Sequence, residues 1–182
     1  MPLPDIGKTK LKKSIVICHG SFDPPTLGHL NIVERALKHF DKVIVAVAIN
    51  TSKATIFSPE ERMEMLRKLL KGRKNVEFDS FEGLLVEYAK KKKCSVILRG
   101  LRTVQDYEYE LQMSLANKKM APEIETMFMM TESEFSHISS SIIKEVIYFG
   151  GDGKDMIHPL VEKKLRERLK ALRASRTKGK GK

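Results

Sequence analysis

The segment that most limits how this chain can fold is Gly20-Ser-Phe-Asp-Pro-Pro-Thr-Leu-Gly-His29, which follows the apolar run from Ser14 to Cys18. The apolar run predicts a buried strand, and the glycine-led turn predicts the start of a helix. A strand, a glycine turn and a helix start point backbone N–H groups and the positive end of the helix at a phosphate. The segment therefore predicts a phosphate site on an α/β sheet, with the imidazole of His29 beside the phosphates.

Five short apolar segments predict the strands of one parallel sheet. Ser14 to Cys18 and Lys42 to Ile49 are continuous apolar runs, as expected for strands that are covered on both faces. The run Met127 to Met130 is rich in methionine and is predicted to be strand core. The predicted strands cover residues 14–18, 42–49, 76–78, 95–98 and 126–130.

Helix signals separate these strands. Ser58-Pro59-Glu60-Glu61 combines an N-cap serine, a proline in the first helical position and a glutamate in the third. A helix over residues 106–120 would carry Tyr109, Met113, Ala116 and Met120 on one face. Further helices are predicted after the first strand and over residues 84–92, 140–149 and 159–172. Alternating strands and helices predict a doubly wound α/β sheet with right-handed crossovers and a C-terminal helix.

The charge of the chain lies at its ends. Residues 161–182 hold ten Lys and Arg against two Glu, and residues 1–13 hold four Lys against one Asp, which accounts for the whole net charge of +11. We therefore expect a basic extension at 1–13, one domain at 14–172 and a basic, disordered tail at 173–182. Because residues 14–160 have no net charge, this neutral core carries no electrostatic footprint for a long polyanion. RNA tethering by the tail is the minor alternative.

Two observations predict a cytoplasmic protein. No apolar stretch approaches the roughly 18 residues that span a bilayer, and the run after the N-terminal lysines is too short for a signal peptide. Cys18 and Cys94 each lie in an apolar run, which favours buried free thiols over a disulfide or a metal site.

Polar residues follow four of the predicted strands. Since ligands of such sheets bind at the carboxyl ends of the strands, these residues are candidates for one site. Cations, hydroxyls and a glycine turn on one rim suit a ligand with several phosphates. The candidates are Ser21, Phe22 and His29 after the first strand, Asn50 to Lys53 after the second, Arg99, Gly100 and Arg102 after the fourth, and Ser136 and Ser139 to Ser141 after the fifth.

Each candidate also has a purely structural interpretation. His29 can be an ordinary helix-start residue, and the serines at 139–141 can simply cap the following helix. Lys53 can be a solvated cation, and Arg99 and Arg102 can pair with Asp106 or Glu110. Their common position after strand ends favours the functional interpretation.

The motifs resemble those of a known family. The segment from Gly20 to His29 resembles the G-x-F-D-P-x-T-x-G-H signature of the nucleotidyltransferases with a (T/H)xGH motif. The segments Arg99 to Arg102, Asp106 to Glu110 and Ile138 to Glu145 look like those of the bacterial phosphopantetheine adenylyltransferases. The resemblance extends from about Ile15 to about Lys170.

Three single residues refine this resemblance. Thr26 favours the phosphopantetheine branch, because relatives that act on mononucleotides or glycerol phosphate usually carry His at this position. His19 departs from the pattern, since relatives often have Pro there. Ser21 replaces the Thr of many relatives and keeps the hydroxyl.

The resemblance implies a Rossmann-like nucleotidyltransferase that transfers the adenylyl group of ATP to 4'-phosphopantetheine. The products would be dephospho-coenzyme A and pyrophosphate, in the biosynthesis of coenzyme A. Mg²⁺ would arrive with ATP, with no protein metal ligand assigned. The family also implies a homo-oligomer, a hexamer in its members, and coenzyme A as a feedback ligand.

The resemblance also implies roles for individual residues. His29 would contact the α-phosphate and stabilise the pentacoordinate transition state, while Ser21 would touch both substrates. Lys53 and Arg99 would hold the phosphate of phosphopantetheine, and Leu85 would line its pantetheine arm. The remaining ATP-binding positions would be Phe22, Gly100, Leu101, Arg102, Glu110, Phe135, Ser136, His137, Ile138, Ser139, Ser140 and Ser141.

Three alternatives remain open from the sequence. An adenylyltransferase for nicotinate or nicotinamide mononucleotide would share the first motif but should lack the Arg99 to Glu110 segment. A cytidylyltransferase would prefer CTP. A nucleic-acid-binding module would depend on the basic termini and would lose affinity steeply with salt.

Overall fold

A computed structural model of the chain describes residues 14–50 and 54–179, with side chains described as far as residue 174. Within these residues, five strands form one parallel sheet in the order β3-β2-β1-β4-β5, which confirms the predicted fold class. The strands are β1 (Ile15–Gly20), β2 (Lys42–Ile49), β3 (Val76–Glu82), β4 (Val96–Leu101) and β5 (Glu125–Met130).

In the described part of the chain, six α-helices connect and follow these strands. They are α1 (Leu27–His39), α2 (Pro59–Leu69), α3 (Leu85–Lys91), α4 (Val104–Met120), α5 (Ser140–Tyr148) and α6 (Pro159–Gly179), with a 3₁₀ turn at Ser133–Phe135. The predicted start of α2 is confirmed. The Ser58 hydroxyl accepts from the Glu61 N–H at 3.2 Å, and the Glu61 carboxylate accepts from the Ser58 N–H at 2.8 Å.

The side chains pack into three buried clusters. On one face of the sheet, Val16 and Cys18 pack with residues of α1 and α2. On the other face, Ile17 packs with residues of α3. A third cluster joins α5 and α6 to α2 through Met65, among other residues. The sheet is therefore covered on both faces, and α5 and α6 form a further layer against α2.

The strand order places the switch point of the sheet between β1 and β4. These two strands pair in register at Ile17 with Ile97 and at Cys18 with Leu98. One residue further on, the Arg99 guanidinium donates from Nη1 to the His19 carbonyl at 2.6 Å. In sheets of this kind the ligand binds at the carboxyl ends beside the switch point. The candidate site is therefore at the ends of β1 and β4.

The prediction that Met127 to Met130 forms strand core is wrong, because Phe128 and Met129 are only partly buried and the other two residues are exposed. Met127 and Met130 are 47% and 57% exposed. The physical reason is the position of β5, which is the outer strand beside β4 and therefore has a neighbouring strand on one side alone. An apolar run does not distinguish a central strand from an edge strand.

Helix α4 forms as predicted, but its apolar face is not buried against the rest of the chain. Tyr109 and Met113 are 64% and 43% exposed, and Met120 is 45% exposed. Large apolar side chains on α4 and β5 thus remain in contact with solvent in the single chain.

Helix α6 extends beyond its predicted end at Leu172 to Gly179, so most of the predicted tail is helical. Residues 173–178 contain Ala, Arg, Lys, Ser and Thr but no Gly or Pro, so nothing in them breaks the helix before Gly179. The guanidinium carbon of Arg173 lies 4.1 Å from the centre of the Tyr148 ring. Residues 1–13 and 180–182 lie outside the described residues.

Two further sequence predictions can be compared with the structure. Cys18 and Cys94 are buried and free, as predicted. In the part of the chain that the structure describes, no helix has the length and apolar character to cross a membrane.

Candidate active site

The turn after β1 reverses the chain within a few residues. Phe22 has a left-handed backbone, with φ of 48°, and the Asp23–Pro24 peptide bond is cis. A Cβ atom at Gly20 would lie 3.4 Å from the Phe22 ring, so the absence of a side chain lets this ring pack closely. The buried Arg62 donates from Nη1 to the Ser21 carbonyl at 2.7 Å. The left-handed backbone of Phe22 is strained for a residue with a side chain, and it persists because the surrounding contacts hold it.

The Asp23 carboxylate is buried in this turn and joins it to two distant segments. It accepts hydrogen bonds from the backbone N–H groups of Ile56 and Phe57 at 3.0 and 2.9 Å. It also accepts from Nζ of Lys144 on α5 at 3.2 Å. Sequence reasoning missed this role, although an acidic residue between Phe22 and Pro24 was a visible signal. The carboxylate fixes the turn against both segments.

Thr26 and His29 form a reciprocal cap at the start of α1. The Thr26 hydroxyl oxygen accepts from the His29 N–H at 3.3 Å. The Nδ1 atom of His29 accepts from the Thr26 N–H at 3.0 Å and lies 2.9 Å from the Thr26 hydroxyl. This is a capping box in which His takes the place usually held by Glu or Gln. Because Nδ1 is an acceptor, the proton of the neutral ring must be on Nε2.

The surroundings of His29 keep its ring neutral. Burial, followed by the positive charges of Arg102 and Arg99, lowers its pKa from 6.5 to about 4. The Phe22 ring lies edge-on to the imidazole with 5.0 Å between ring centres. At neutral pH His29 therefore offers one N–H donor from Nε2 rather than a full positive charge.

Arg99 and Arg102 each pair with a carboxylate of α4, as the structural interpretation of the sequence allowed. Arg99 donates from Nε to Glu110 at 2.7 Å and makes a second, short contact from Nη2. Arg102 donates to both carboxylate oxygens of Asp106 at 3.0 Å, and from Nη1 to the Ile138 carbonyl at 3.0 Å. Burial opposes ionisation of Asp106, but the hydrogen bonds from Arg102 outweigh it and lower the carboxyl pKa. The pairs fix both guanidinium groups.

The serines before α5 have structural roles as well as a position in the site. The Ser139 hydroxyl caps the helix by accepting from the Ile142 N–H at 3.1 Å. The Ser140 hydroxyl donates to the Pro24 carbonyl at 2.8 Å, which ties α5 to the turn after β1. The residues at the starts of α1 and α5 line the same cavity. Two positive helix ends therefore face one space, which favours an anionic ligand.

This cavity has a volume of about 280 Å³ and brings most of the predicted residues together. A second cavity of about 130 Å³ adjoins it and is lined by Leu85, with Met113 and Tyr109 of α4. His19, Arg99 and Glu110 line both cavities and form their junction. The predicted residues that line the larger cavity are Ser21, Phe22, His29, Arg99, Gly100, Arg102, Glu110, Ile138, Ser139, Ser140 and Ser141.

Five of the predicted residues that the structure describes line neither cavity, namely Asn50, Leu101, Phe135, Ser136 and His137. Leu101 is buried, Asn50 and His137 are exposed, and the Ser136 hydroxyl donates to the Ser133 carbonyl at 2.8 Å. Phe135 packs beside Gly28 instead, with its Cβ 3.6 Å from where a Cβ of Gly28 would be. The other predicted residues, 51–53 with Lys53 among them, lie outside the described residues, so their placement stays a prediction.

Conversely, the structure adds cavity residues to the predicted set. They include His19, Thr26, Asp106 and Thr131. Thr26 and Asp106 could have been found in the sequence from their spacing of three and four residues to His29 and Arg102. His19 and Thr131 carry no such local signal.

One further close approach shapes this end of β4. A Cβ atom at Gly100 would lie 2.8 Å from Cγ1 of Ile32, so α1 can pack here because the strand has no side chain. This packing brings α1, which carries His29, against the strand that carries Arg99.

The sequence profile of the cytidylyltransferase-like family matches residues 17–146. The matched region contains the turn after β1, the arginines of β4 and the start of α5. The chain therefore belongs to the cytidylyltransferase-like family of nucleotidyltransferases.

Within that family, the chain is similar to the phosphopantetheine adenylyltransferase of Carboxydothermus hydrogenoformans. The two are 52% identical over 155 residues, which cover 85% of this chain and 96% of the relative. Identity at this level over nearly the whole relative places the chain among the phosphopantetheine adenylyltransferases.

Two solved structures show the same fold. One, from Vibrio parahaemolyticus and assigned as a nicotinate-nucleotide adenylyltransferase, has a TM-score of 0.65 at 20% identity and covers 85% of this chain and 99% of its own. The other is the nicotinic acid mononucleotide adenylyltransferase of Plasmodium falciparum complexed with NaAD, with a TM-score of 0.60 at 16% identity, covering 88% and 96%. At these identities the likeness establishes the fold alone.

We expect Thr26→Val to destabilise the start of α1 while keeping the shape of the side chain. The variant loses the hydroxyl that accepts from the His29 N–H, so the free energy of unfolding should fall by about 1 kcal/mol. Nitrogen NMR should still show the Nε2–H form of His29, because the backbone N–H of residue 26 continues to donate to Nδ1. Thr26→Ser, which keeps the hydroxyl, is the control. Equal free energies of unfolding for the two variants, measured by urea unfolding, would contradict the role of the hydroxyl cap.

The low pKa of His29 predicts a pH dependence of stability. The folded ring binds a proton at about pH 4 and the unfolded ring at about 6.5. Between these values the unfolded state holds more protons, so stability should fall as the pH is lowered from 6.5 to 4. Urea unfolding across this range should show a shallower decline for His29→Gln. An NMR titration that places the pKa of His29 near 6.5 would refute this account.

Proposed function

We propose that this protein transfers the adenylyl group of ATP to 4'-phosphopantetheine and releases dephospho-coenzyme A and pyrophosphate. This reaction belongs to the biosynthesis of coenzyme A. The observation that carries the proposal is the identity of 52% with a phosphopantetheine adenylyltransferase across nearly all of that enzyme. The joined cavities fit it, because the reaction needs a nucleotide and an acceptor to meet at one point.

The larger cavity is the proposed ATP site. Its polar groups suit a triphosphate: the Nε2–H of His29, the guanidinium of Arg102 and the starts of α1 and α5. We assign His29 to the α-phosphate, where its N–H would donate to an oxygen that gains charge in the transition state. Ser139 to Ser141 would hold the departing pyrophosphate.

The smaller cavity is the proposed site of the acceptor. Leu85, Ile97 and Met113 give it an apolar wall that suits an extended pantetheine arm. Arg99 at the junction would hold the acceptor's phosphate, and we assign Lys53 to the same phosphate from its match to the family motif. The acceptor's phosphate would then face the α-phosphate of ATP.

The proposed chemistry needs no covalent nucleophile on the protein. An oxygen of the acceptor's phosphate attacks the α-phosphorus of ATP, and the bond from that phosphorus to the bridging oxygen of pyrophosphate breaks. Positioning and charge stabilisation supply most of the acceleration in such transfers. Arg99 and Arg102 offset the repulsion between the two anions, and His29 stabilises the developing charge.

Mg²⁺ is proposed to accompany ATP. Among residues 14–50 and 54–179, no three or more His, Cys, Asp or Glu side chains cluster in a way that could hold a metal ion. The carboxylates of the larger cavity, Asp106 and Glu110, are both engaged by arginines. This donor set fits an ion carried by substrate phosphates, which would neutralise part of their charge.

The reaction can be tested by measuring pyrophosphate release from ATP or CTP with separate acceptors. The acceptors are 4'-phosphopantetheine, nicotinamide mononucleotide and glycerol phosphate. We expect release with ATP and phosphopantetheine, and inhibition by coenzyme A, which contains both halves of the product. Release with CTP or with another acceptor, and none with phosphopantetheine, would overturn the proposal.

His29→Ala should lower the turnover number roughly a hundred- to a thousand-fold, because it removes one donor to the transition state. ATP should still bind, since the other phosphate contacts remain, and calorimetry would measure this. His39→Ala is the matched control, because His39 is an exposed residue at the far end of the same helix. Unchanged turnover in His29→Ala would exclude the assigned role.

We also propose that the chain assembles as a homo-oligomer, a hexamer as its family implies. The apolar side chains that α4 and β5 expose support a contact between copies, with Leu115 62% and Met130 57% exposed. Sedimentation should give about six times the chain mass of 20.7 kDa. Leu115→Glu should shift the protein to smaller species. A wild-type monomer would contradict this proposal.

We also propose a cytoplasmic location for the protein. The two free thiols, Cys18 and Cys94, are in keeping with a reducing compartment.

A further inference from the structure

We propose that His19 is a substrate-binding residue that donates a hydrogen bond to the phosphate of the acceptor at the junction of the two cavities. This inference rests on the proposed function and deepens it. Neither the match to the family profile nor the similarity to the related proteins described above assigns a role to His19.

The position of His19 follows from the alternation of side chains along β1. Ile17 packs in the buried cluster on the α3 face of the sheet, and His19, two residues later, points to the same face. On the neighbouring strand β4, Arg99 comes two residues after Ile97 of that cluster and therefore points to the same face. The side chains of His19 and Arg99 therefore lie next to each other, at the point where β1 and β4 stop pairing.

The neighbours of His19 fix its ring without satisfying its polar atoms. The ring lies edge-on to Phe81 with 6.1 Å between centres, and Phe81 stacks on Tyr88 at 4.5 Å. The Tyr88 hydroxyl in turn donates to Asp79 at 3.0 Å. On its other side, His19 is in register with Ala46, whose small side chain leaves room. Within the described part of the chain, neither ring nitrogen of His19 has a hydrogen-bond partner.

The contrast with His29 indicates a ligand-binding role. In His29 one ring nitrogen is held by Thr26, which leaves the other for a ligand. In His19 both nitrogens remain available, in a residue that lines both cavities. The buried side-chain nitrogen and oxygen atoms of the described residues all have partners, so an unpaired imidazole here faces the cavity space.

The charge of the ring decides which contact it can make. Burial and the nearby Arg99 lower the pKa of His19 well below 6.5, so the ring is neutral and carries one N–H donor. Arg99 supplies positive charge at the junction. Some of its N–H groups, however, already donate to Glu110 and to the His19 carbonyl. A second donor beside it would complete the contacts of a phosphate with several acceptor oxygens.

The test compares His19→Phe with His19→Gln in the full-length protein. Phe keeps a ring against Phe81 but removes both nitrogens, whereas Gln keeps an N–H donor. We expect His19→Phe to raise the KM for 4'-phosphopantetheine roughly two- to tenfold, the usual value of one hydrogen bond. The KM for ATP should stay within about twofold, and Gln should recover part of the loss. His39→Phe is the surface control.

Binding of two ligands locates the contact on the phosphate. Calorimetry should show weaker binding of 4'-phosphopantetheine to His19→Phe, with binding of pantetheine, which lacks the phosphate, unchanged. An unchanged KM and affinity for phosphopantetheine, or an equal loss for both ligands, would overturn the proposal. Should His19→Phe fail to fold, as judged by thermal unfolding, His19→Leu and His19→Gln provide the same comparison.

Failure of the proposed function would give a different result. In that case wild-type protein would release no pyrophosphate with phosphopantetheine, whatever residue is at position 19. The comparison of His19→Phe with wild type would then be made with the phosphorylated acceptor that does support release. A normal KM for that acceptor in the variant would overturn the role of His19.

Discussion

The geometry of this site depends on the hydrogen bonds that the buried Asp23 carboxylate accepts. It lies in the tight turn between β1 and α1 and accepts from two backbone amides at residues 56 and 57 and from Lys144 of α5. Removing either side of a buried ionic contact leaves an uncompensated charge, so such contacts hold their elements in one arrangement. The starts of α1 and α5 thereby face the same cavity, and the proposed phosphate site depends on this arrangement.

The same turn sets the chemical form of His29. A capping box normally stabilises a helix start, and here it also fixes the ring tautomer through Thr26. Burial and two arginines keep the ring neutral, so its proposed contact with a phosphate is a directed hydrogen bond. Positive charge comes instead from Arg99 and Arg102, which the carboxylates of α4 hold in place. Orientation and charge are thus supplied by different residues.

Much of the fold could be predicted, and the errors have two causes. The five strands, the cap at Ser58 and the pair of Arg102 with Asp106 follow from short-range patterns. The exposure of Met127 on β5 and of Tyr109 on α4 was not predictable, because an apolar pattern does not identify the surface that will cover it. The end of α6 was placed too early because a run of basic residues was taken as a sign of disorder.

The sequence by itself determined the strand, turn and helix start around His29, the order of the elements and the candidates at strand ends. These depend on contacts among residues a few positions apart, which local spacing records. The tertiary structure alone decided that Asp23 meets Lys144, and that His19, Arg99 and Glu110 form the junction of two cavities. Such contacts join residues from distant parts of the chain, and their partners are chosen by how the strands order and the helices pack rather than by any local pattern.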